Sequence, residues 1–300
     1  MIEPSILAAI AARLTRALAL PDIDYRPLFV DGIAIGLVDD ARAARLARFG
    51  VFAVDGQRVV LDPRFRTTEA RSQAFAETAL ALRAEGALPA WRDELFAIGT
   101  RFGEPPLFVI ERGAARYFGL ATYAVHVNGV VHEDDAPWMW FARRSPTKDV
   151  DPGLLDNLIG GGIAAGYRVD ETIVKEAFEE AGVPASLARE ARAAGIVHSV
   201  KPMFDGLQRE TLFVHDLVLP RDFVPANQDG EAVEHRRVDL VTAARTIAAS
   251  GGVDETTVDA SLVVLDFLIR HGHVPADDGS YSSLDALLHR RVEAAALLRQ

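Results

Sequence analysis

The chain has 300 residues, of which 49% are hydrophobic and 25% charged, and its 43 acidic against 32 basic side chains give a formal net charge of −11. This length favours two domains or one enlarged core, and the acidic balance excludes the basic surface that nucleic-acid binding needs. The absence of cysteine excludes disulfides, thiolate metal sites and cysteine nucleophiles.

The first 115 residues alternate between helix and hairpin patterns. Apolar residues recur at helical spacing near the N-terminus, at Ile6, Ile10, Leu14 and Leu18. Asp31-Gly32 and Asp55-Gly56 each separate two apolar runs, a pattern typical of two-residue type I′ hairpins. Helices are predicted between the hairpins, in DDARAARLARF, and over residues 68 to 85. We therefore expect a small α+β domain over residues 1 to 115.

The next part of the chain, residues 116 to 245, is rich in strand patterns. Strand-like runs occur at YAVHV, WMWFARR, AAGIVHSVKPMF and TLFVHDLVL, and Asn128-Gly129 predicts a third hairpin. One helix is predicted from about 170 to 181, after the glycine-rich loop GGGIAAG. Apolar spacing then predicts a helix around residues 258 to 269 that stops at Gly272, and a last helix from 283 to 298. Residues 246 to 300 should form a helical extension packed on the preceding domain.

No run reaches the roughly 18 apolar residues of a membrane-spanning helix. The first few residues of the N-terminal stretch are acidic rather than basic, and arginines interrupt its apolar run, so it does not resemble a signal peptide. We therefore expect a cytoplasmic protein with neither a membrane nor a nucleic-acid partner, and a homodimer on general prevalence.

Three glutamates in the predicted helix carry the main chemical signal. Glu176, Glu179 and Glu180 lie at i, i+3 and i+4, so their carboxylates share one helix face, where like charges cost about 0.2–0.5 kcal/mol per pair. A solvated helix face is the alternative interpretation. A hard divalent cation such as Mg²⁺ would instead convert this repulsion into a site. The glycines before the helix, and Gly182 with Val183 after it, favour the metal site.

This segment resembles the box of the Nudix hydrolases, G-x5-E-x7-R-E-U-x-E-E-x-G-U, where U is a bulky aliphatic residue. Gly161 takes the first position, followed by Lys175-Glu176, Glu179-Glu180 and Gly182-Val183, with departures at Tyr167, Lys175 and Ala177. The resemblance implies an α+β fold, the Nudix α/β/α sandwich with a mixed sheet. It also implies that Glu176, Glu179 and Glu180 bind metal, either Mg²⁺ or, as an alternative ion, Mn²⁺.

Further segments between residues 28 and 290, such as WRDELFAIG, YAVHVNGVV and PGLLDNLIGGGIAAG, resemble one Nudix branch. That branch carries an extra N-terminal domain and is described as related to thiamine pyrophosphokinase. The resemblance implies hydrolysis of a small-molecule diphosphate, namely thiamine diphosphate or its damaged or antivitamin analogues. Two alternatives stay open: hydrolysis of nucleotide diphosphate compounds, and a Nudix-fold binding module without catalysis, which Tyr167 in place of the expected acid would suit.

Other side chains are candidates for binding and catalysis. Arg143, Arg144 and Lys148 follow a predicted strand and would suit a diphosphate clamp, with surface salt bridges as the alternative. Gly161 and Gly162 would let the backbone approach the substrate. The catalytic candidates are Glu231 and Glu234, with Glu210 behind them, and Glu180 if it combines metal binding with base duty.

Two weaker patterns concern aromatic and imidazole side chains. Trp91, Trp138 and Trp140 would suit stacking on a substrate ring, although such residues usually belong to the core. His271 and His273 form an isolated pair, which is weak support for a metal site.

Overall fold

The computed structural model describes residues 1–134 and 136–290. Its helices are α1 (Pro4–Ala17), α2 (Asp40–Leu46), α3 (Thr68–Ala84), α4 (Val169–Ala181), α5 (Ala185–Ala188), α6 (Leu240–Ala248), α7 (Val258–Arg270) and α8 (Tyr281–Leu288). Its strands are β1 (Tyr25–Val30), β2 (Ile33–Asp39), β3 (Phe52–Val54), β4 (Val59–Leu61), β5 (Leu95–Ile98), β6 (Phe108–Glu111), β7 (Ala121–Glu133), β8 (Ala136–Arg144), β9 (Leu155–Asn157), β10 (Ile159–Gly162), β11 (Arg192–Met203), β12 (Gly206–Val218) and β13 (Ala232–Asp239). None of the helices in this part of the chain combines the length and apolar character needed to span a bilayer.

The N-terminal part is built on a sheet with the order β2-β1-β4-β3, followed by the β5-β6 ribbon. α3 packs against this part through Phe75, whose ring stacks on that of Phe108 at a centroid distance of 4.0 Å. The predicted hairpin at Asp31-Gly32 is confirmed, because both residues have positive φ, 53° and 77°. The two-residue turn at Asp55-Gly56 is wrong. There the Asp55 carboxylate accepts hydrogen bonds from the backbone N–H groups of Gln57 and Arg58, which makes a longer turn.

The large sheet has the order β11-β12-β7-β8-β13, with β10 paired to β7 and β9 paired to β8. β12 and β7 run parallel, whereas the other neighbouring pairs are antiparallel. Alternate side chains of β7 face opposite sides, so Val125 and Val127 pack with α4 while Ala124 and Val130 pack with the C-terminal helices. This confirms the expected sandwich of helices on both faces of a mixed sheet.

α1 packs with the C-terminal helices rather than with the N-terminal sheet. Leu7, Ile10 and Leu14 are fully buried in the same cluster as side chains from α6, α7 and α8. The buried Arg13 guanidinium donates to the backbone oxygen of Ile247 at 3.0 Å. The sequence division placed residues 1 to 115 in one domain, whereas α1 lies against the helices that follow residue 239. The predicted last helix is described as α8, and residues 291 to 298 of it lie outside the described residues.

The predicted hairpin at Asn128-Gly129 is wrong, because β7 continues through both residues. Asn128 is buried, and its Nδ2 donates to Asp216 Oδ1 at 2.9 Å. A Cβ on Gly129 would fall 2.3 Å from Leu158 Cδ2, so this glycine allows close packing rather than a turn. The chain reverses near Asp134, which has a φ of 47°.

The first part of the predicted glycine-rich loop is also a strand. Gly160, Gly161 and Gly162 belong to β10, where Gly160 pairs with His126 and Gly161 with Val125 of β7. Their missing side chains let the neighbouring elements approach this strand closely. The loop proper follows β10 and leads into α4.

Candidate active site

Helix α4 is fixed at both ends by local interactions. Glu171 accepts a hydrogen bond from the backbone N–H of Arg168 at 3.0 Å, as in a capping box. Gly182 ends the helix in the left-handed conformation, with a φ of 63°, and Val183 is fully buried beside it, which confirms the predicted C-cap. Tyr167, which replaces the acid of the family pattern, is exposed just before the helix. The capping by Glu171 therefore supports the first turn without an acid at residue 167.

The three glutamates of α4 lie in three different environments. Glu176 is buried beneath β10, and Lys175 Nζ donates to its Oε1 at 2.9 Å and to Glu179 Oε2 at 2.8 Å. Glu180 also reaches β10, where it accepts the backbone N–H of Gly160 at 2.7 Å. The helix thus holds β10 through two carboxylates and leaves Glu179 half-exposed at the edge.

Burial dominates the electrostatics of this helix face. It raises the pKa of Glu180 well above the ordinary value, and the negative charge of Glu176 raises it further, against the N–H of Gly160. Burial also raises the pKa of Glu176, although Lys175 opposes the shift. For Lys175, burial favours the neutral amine, but hydrogen bonds to Glu179 and Glu176 outweigh it and raise the pKa. The positive groups nearby therefore do not fully offset the effect of burial on Glu176 and Glu180.

The donor chemistry of this face fits a hard divalent cation. Mg²⁺ prefers carboxylate oxygens, and a bound cation would relieve the unfavourable burial of Glu176 and Glu180. The Lys175 ammonium lies between Glu176 and Glu179, which marks a point where these carboxylates share a positive charge. Within the described ranges no three acidic or histidine side chains already converge as a formed metal site. Glu176, Glu179 and Glu180 are thus the residues that would hold a cation, after side-chain rotation.

A cavity of about 180 Å³ lies beside β10, between the N-terminal part and the large sheet. Its basic lining residues are Arg92, Arg112, Arg116, Arg144 and Lys148. Its acidic lining residues are Asp151, Asp156, Glu176, Glu210, Glu231 and Asp259. Gly160, Gly161 and Gly162 complete the wall next to α4. The arrangement places a cluster of cations and a carboxylate helix around one space, which suits an anionic ligand held together with a cation.

The three cations predicted to form a clamp do not lie together. Arg144 and Lys148 line the cavity, where Arg144 Nη1 pairs with Asp156 Oδ2 at 2.9 Å. Arg143 lies outside it, because its guanidinium pairs with Glu234 at 2.6 Å and with Asp254 at 3.0 Å. This placement corrects the three-residue clamp and matches the salt-bridge alternative for Arg143.

Among the three acids considered as a base, Glu231 and Glu210 line the cavity. Glu234 is committed to Arg143 and Arg236 at the sheet edge. Burial raises the pKa of Glu231, but the hydrogen bond and charge of Lys148 outweigh this and lower the pKa overall. Glu231 is therefore an ionised carboxylate of the cavity that lies outside α4 and contacts Lys148.

The sequence analysis missed the cavity residues of the N-terminal part, including Arg92, Arg112 and Phe96. Arg112 follows β6 in a short 3₁₀ turn, and its guanidinium lies over the Phe96 ring at 5.4 Å from the centroid. Isolated arginines carry no spacing pattern, so only the packing of the two parts reveals them. The segment WRDELFAIG, which contains Arg92 and Phe96, carries only a family resemblance in the sequence.

The tryptophans and the histidine pair lie away from the cavity. Trp140 is buried beneath Arg237, and Trp91 lies under Arg83 at 4.4 Å from its ring centroid. Trp138 is half-buried in β8. His271 stacks on Phe267 at a centroid distance of 4.1 Å. The aromatic side chains that do line the cavity are the imidazole of His126 and the phenyl ring of Phe96.

Comparisons with known proteins match two family models to successive parts of the chain. Residues 122–253 match the NUDIX domain, and residues 10–122 match a domain of unknown function, DUF4743. The chain is 36% identical over 264 residues to Nudix hydrolase 24, chloroplastic, of Arabidopsis thaliana, which covers 87% of this chain and 72% of the relative. It is 37% identical to Nudix hydrolase 20, chloroplastic, of the same plant, covering 79% of this chain and 63% of the relative.

Two solved structures share part of this architecture. A Deinococcus radiodurans protein is 22% identical with a TM-score of 0.42, covering 57% of this chain and 97% of that one. The NUDIX domain of a Shewanella oneidensis protein complexed with ADP ribose is 12% identical with a TM-score of 0.40, covering 51% and 90%. From the extent of the match to the Arabidopsis relatives, we conclude that the chain belongs to the Nudix hydrolase family.

Proposed function

We propose that the protein is a metal-dependent hydrolase of an X-linked diphosphate, where X is an organic group. The observation that carries this proposal is that Glu176 of α4 and five basic side chains line the same cavity. A diphosphate carries several negative charges, so an acidic protein needs such a local cluster of cations to bind it.

Glu176, Glu179 and Glu180 would hold Mg²⁺, with Mn²⁺ as the alternative ion. When bound, the ion neutralises phosphate oxygens and lowers the pKa of a coordinated water. Lys148 and Arg144 would contact phosphate oxygens from the cavity wall. Gly161 and Gly162 also line the cavity, but the space beside them is filled by Glu176 and by Phe96 with Arg112 and is not left for the substrate.

Glu231 is the favoured acceptor of the proton from the attacking water. Its carboxylate lines the cavity and is kept ionised by Lys148. The alternative acceptor is Glu180, but its carboxylate is partly buried and committed to the backbone N–H of Gly160. The positions of these two carboxylates thus support separate duties, with Glu180 supporting metal binding and Glu231 receiving the proton.

For the group X we favour thiamine or one of its damaged or antivitamin analogues. This choice is supported by the family resemblance and by the far wall of the cavity, where Glu210, Gln208 and Asp259 offer hydrogen-bond acceptors. Such acceptors suit a group that carries amino hydrogens or a positive charge. Nucleotide diphosphate compounds are the second candidate, because their bases also carry amino hydrogens. Side-by-side kcat/KM values for thiamine diphosphate analogues and nucleotide diphosphate compounds would separate the two.

The test of the hydrolase proposal is phosphate or diphosphate release with and without Mg²⁺. Glu179→Gln and Glu180→Gln should each lose most of the Mg²⁺-dependent activity, because each removes one anionic oxygen ligand. Glu190→Gln is the matched control, since Glu190 is exposed outside this helix. Retention of most of the activity in both variants would overturn the assignment of the helix glutamates. Tight substrate binding by the wild type with no turnover would instead favour a binding module.

A further inference from the structure

We infer that Arg112 binds the phosphate oxygens of the substrate directly, so that the N-terminal domain completes the substrate site. This inference rests on the proposed function, because it concerns how the same diphosphate is recognised. It assigns a role to a part of the chain that matches a domain of unknown function.

The first support is the contact between the N-terminal part and β10. A Cβ on Gly162 would fall 2.5 Å from Phe96 Cζ and 3.3 Å from Arg112 Cζ. The backbone N–H of Ala165 donates to the oxygen of Leu95 at 2.7 Å, which ties β5 to the segment after β10. The guanidinium is therefore held against the glycine strand, one residue from the glycine that contacts Glu176.

The second support is the hydrogen-bonding capacity of the guanidinium. Arg112 Nη1 donates to Glu94 Oε2 at 2.8 Å, and 41% of the side chain is exposed. A guanidinium has five N–H donors, so one such bond leaves a fork that matches phosphate oxygens. Arg144 differs, because its Nε, Nη1 and Nη2 already donate to Val150, Asp151 and Asp156. Arg112 is thus better able to accept an incoming anion than the predicted Arg144.

The third support is the position of this charge among the cavity carboxylates. Burial raises the pKa of Glu210, and the charge of Arg112 is among those that oppose this shift. The same charge also helps to keep Glu231 ionised. Arg112 and these carboxylates, which come from β12 and the segment before β13, line the same cavity.

Calorimetric titration of the full chain with inorganic pyrophosphate in Mg²⁺ buffer tests the inference. Arg112→Gln should weaken binding about tenfold or more, because it removes charge-assisted hydrogen bonds. Glu94→Gln should keep or tighten binding, since it frees the guanidinium from its ion pair. Arg64→Gln is the matched control, because Arg64 is exposed on a loop remote from the cavity lining. The difference in pyrophosphate affinity between the wild type and Arg112→Gln should become smaller as the KCl concentration is raised.

A purely structural Arg112–Glu94 ion pair predicts that Arg112→Gln and Glu94→Gln weaken pyrophosphate binding equally. That result would overturn the inference, as would unchanged affinity in Arg112→Gln or no binding by the wild type. The Tm values of all variants show whether a loss of binding comes from a loss of folding. Arg112→Lys keeps the positive charge and therefore shows whether the guanidinium itself is needed for recognition. Wild-type turnover is measured separately. If pyrophosphate binding depends on Arg112 but the wild type shows no turnover, the hydrolase proposal is rejected and the inference is supported. If the wild type turns over substrate but Arg112→Gln binds pyrophosphate with unchanged affinity, only the inference is overturned.

Discussion

The carboxyl group of Glu176 lies directly against Gly161, so that a Cβ built on this glycine would fall 2.4 Å from Glu176 Cδ. Real Cβ atoms do not approach another side chain so closely, and the contact therefore requires glycine. It explains physically why the box begins with glycine fifteen residues before its first helix glutamate. The helix and β10 can approach only where the strand has no side chain.

The first prediction follows from this contact. Gly161→Ala should displace the Glu176 carboxylate and lower kcat for Mg²⁺-dependent diphosphate release about 100-fold, the cost typical of a 1 Å misplacement. Overpacking should also lower the free energy of unfolding by about 1–3 kcal/mol. Gly50→Ala is the control, because nothing lies within 4 Å of its added Cβ. Near wild-type kcat in Gly161→Ala would mean that the position of Glu176 is not critical.

Local patterns predicted those features that local physics decides. The periodicity of α3, the C-cap at Gly182 and the Asp31-Gly32 turn follow from contacts within a few residues, and the structure contains all three. Asn128-Gly129 has the same turn preference as Asp31-Gly32. There the burial of Asn128 in a hydrogen-bonded network and the packing of Gly129 on Leu158 outweigh it. Tertiary contacts of this kind are invisible in the local sequence.

The candidate site shows the same limit. Arg143 and Arg144 are neighbours on β8, and adjacent residues of a strand point to opposite sides. Only one of them can face the cavity, and the sequence does not say which. Arg112 comes from a different domain, so no spacing relates it to Glu176. The carboxylate face of α4 was predictable because its three glutamates lie within five residues of one another, whereas the cavity is assembled from distant segments.

The second prediction concerns metal binding without catalysis. Mg²⁺ should raise the Tm of the wild type, because a ligand at 100 times its Kd adds about 2.7 kcal/mol to the folded state. EDTA should reverse the shift. Glu176→Gln should lose most of the Mg²⁺-induced rise in Tm, because the substitution replaces a charged, buried ligand oxygen with a neutral one. Differential scanning fluorimetry at several Mg²⁺ concentrations measures the effect, with Glu190→Gln as the control. Equal shifts in both variants would show that Mg²⁺ binds elsewhere.

The third prediction concerns the buried pair of Lys201 and Asp259, which joins β11 to α7. Lys201 Nζ lies 3.1 Å from Asp259 Oδ2, and only 5% of the lysine side chain is exposed. Lys201→Met should lower the free energy of unfolding by about 3–5 kcal/mol, because it leaves a buried charge unpaired. Urea denaturation measures this loss.

Two further variants test the cause of that loss. Lys201→Met with Asp259→Asn should cost less than the sum of the single changes, since the double variant removes both charges. Arg58→Met breaks the exposed pair with Asp55 and should cost no more than about 1 kcal/mol. Strict additivity of the two changes would show that the charges of Lys201 and Asp259 do not interact.

The fourth prediction links pH to the start of α6. Asp239 Oδ2 accepts the Thr242 hydroxyl at 2.7 Å, and its Oδ1 accepts the backbone N–H groups of Val241 and Thr242 at 2.9 Å. The Thr242 hydroxyl bond and these backbone bonds lower the pKa of Asp239 in the folded protein. Asp239→Ala should therefore destabilise the protein by about 1 kcal/mol at pH 7, the usual cost of a lost N-cap.

The pH dependence of that cost has a defined sign. A carboxylate with a lowered folded pKa contributes its stability above the unfolded pKa, about 3.9, and loses it as the pH falls through the folded pKa. The difference in the free energy of unfolding between the wild type and Asp239→Ala should thus be the same at pH 7 and pH 5 and should become smaller below about pH 4. Urea midpoints at these pH values measure it, with the exposed Asp222→Ala as the control. A gap that stays constant into acid would mean that Asp239 stabilises α6 through packing rather than through its ionised carboxylate.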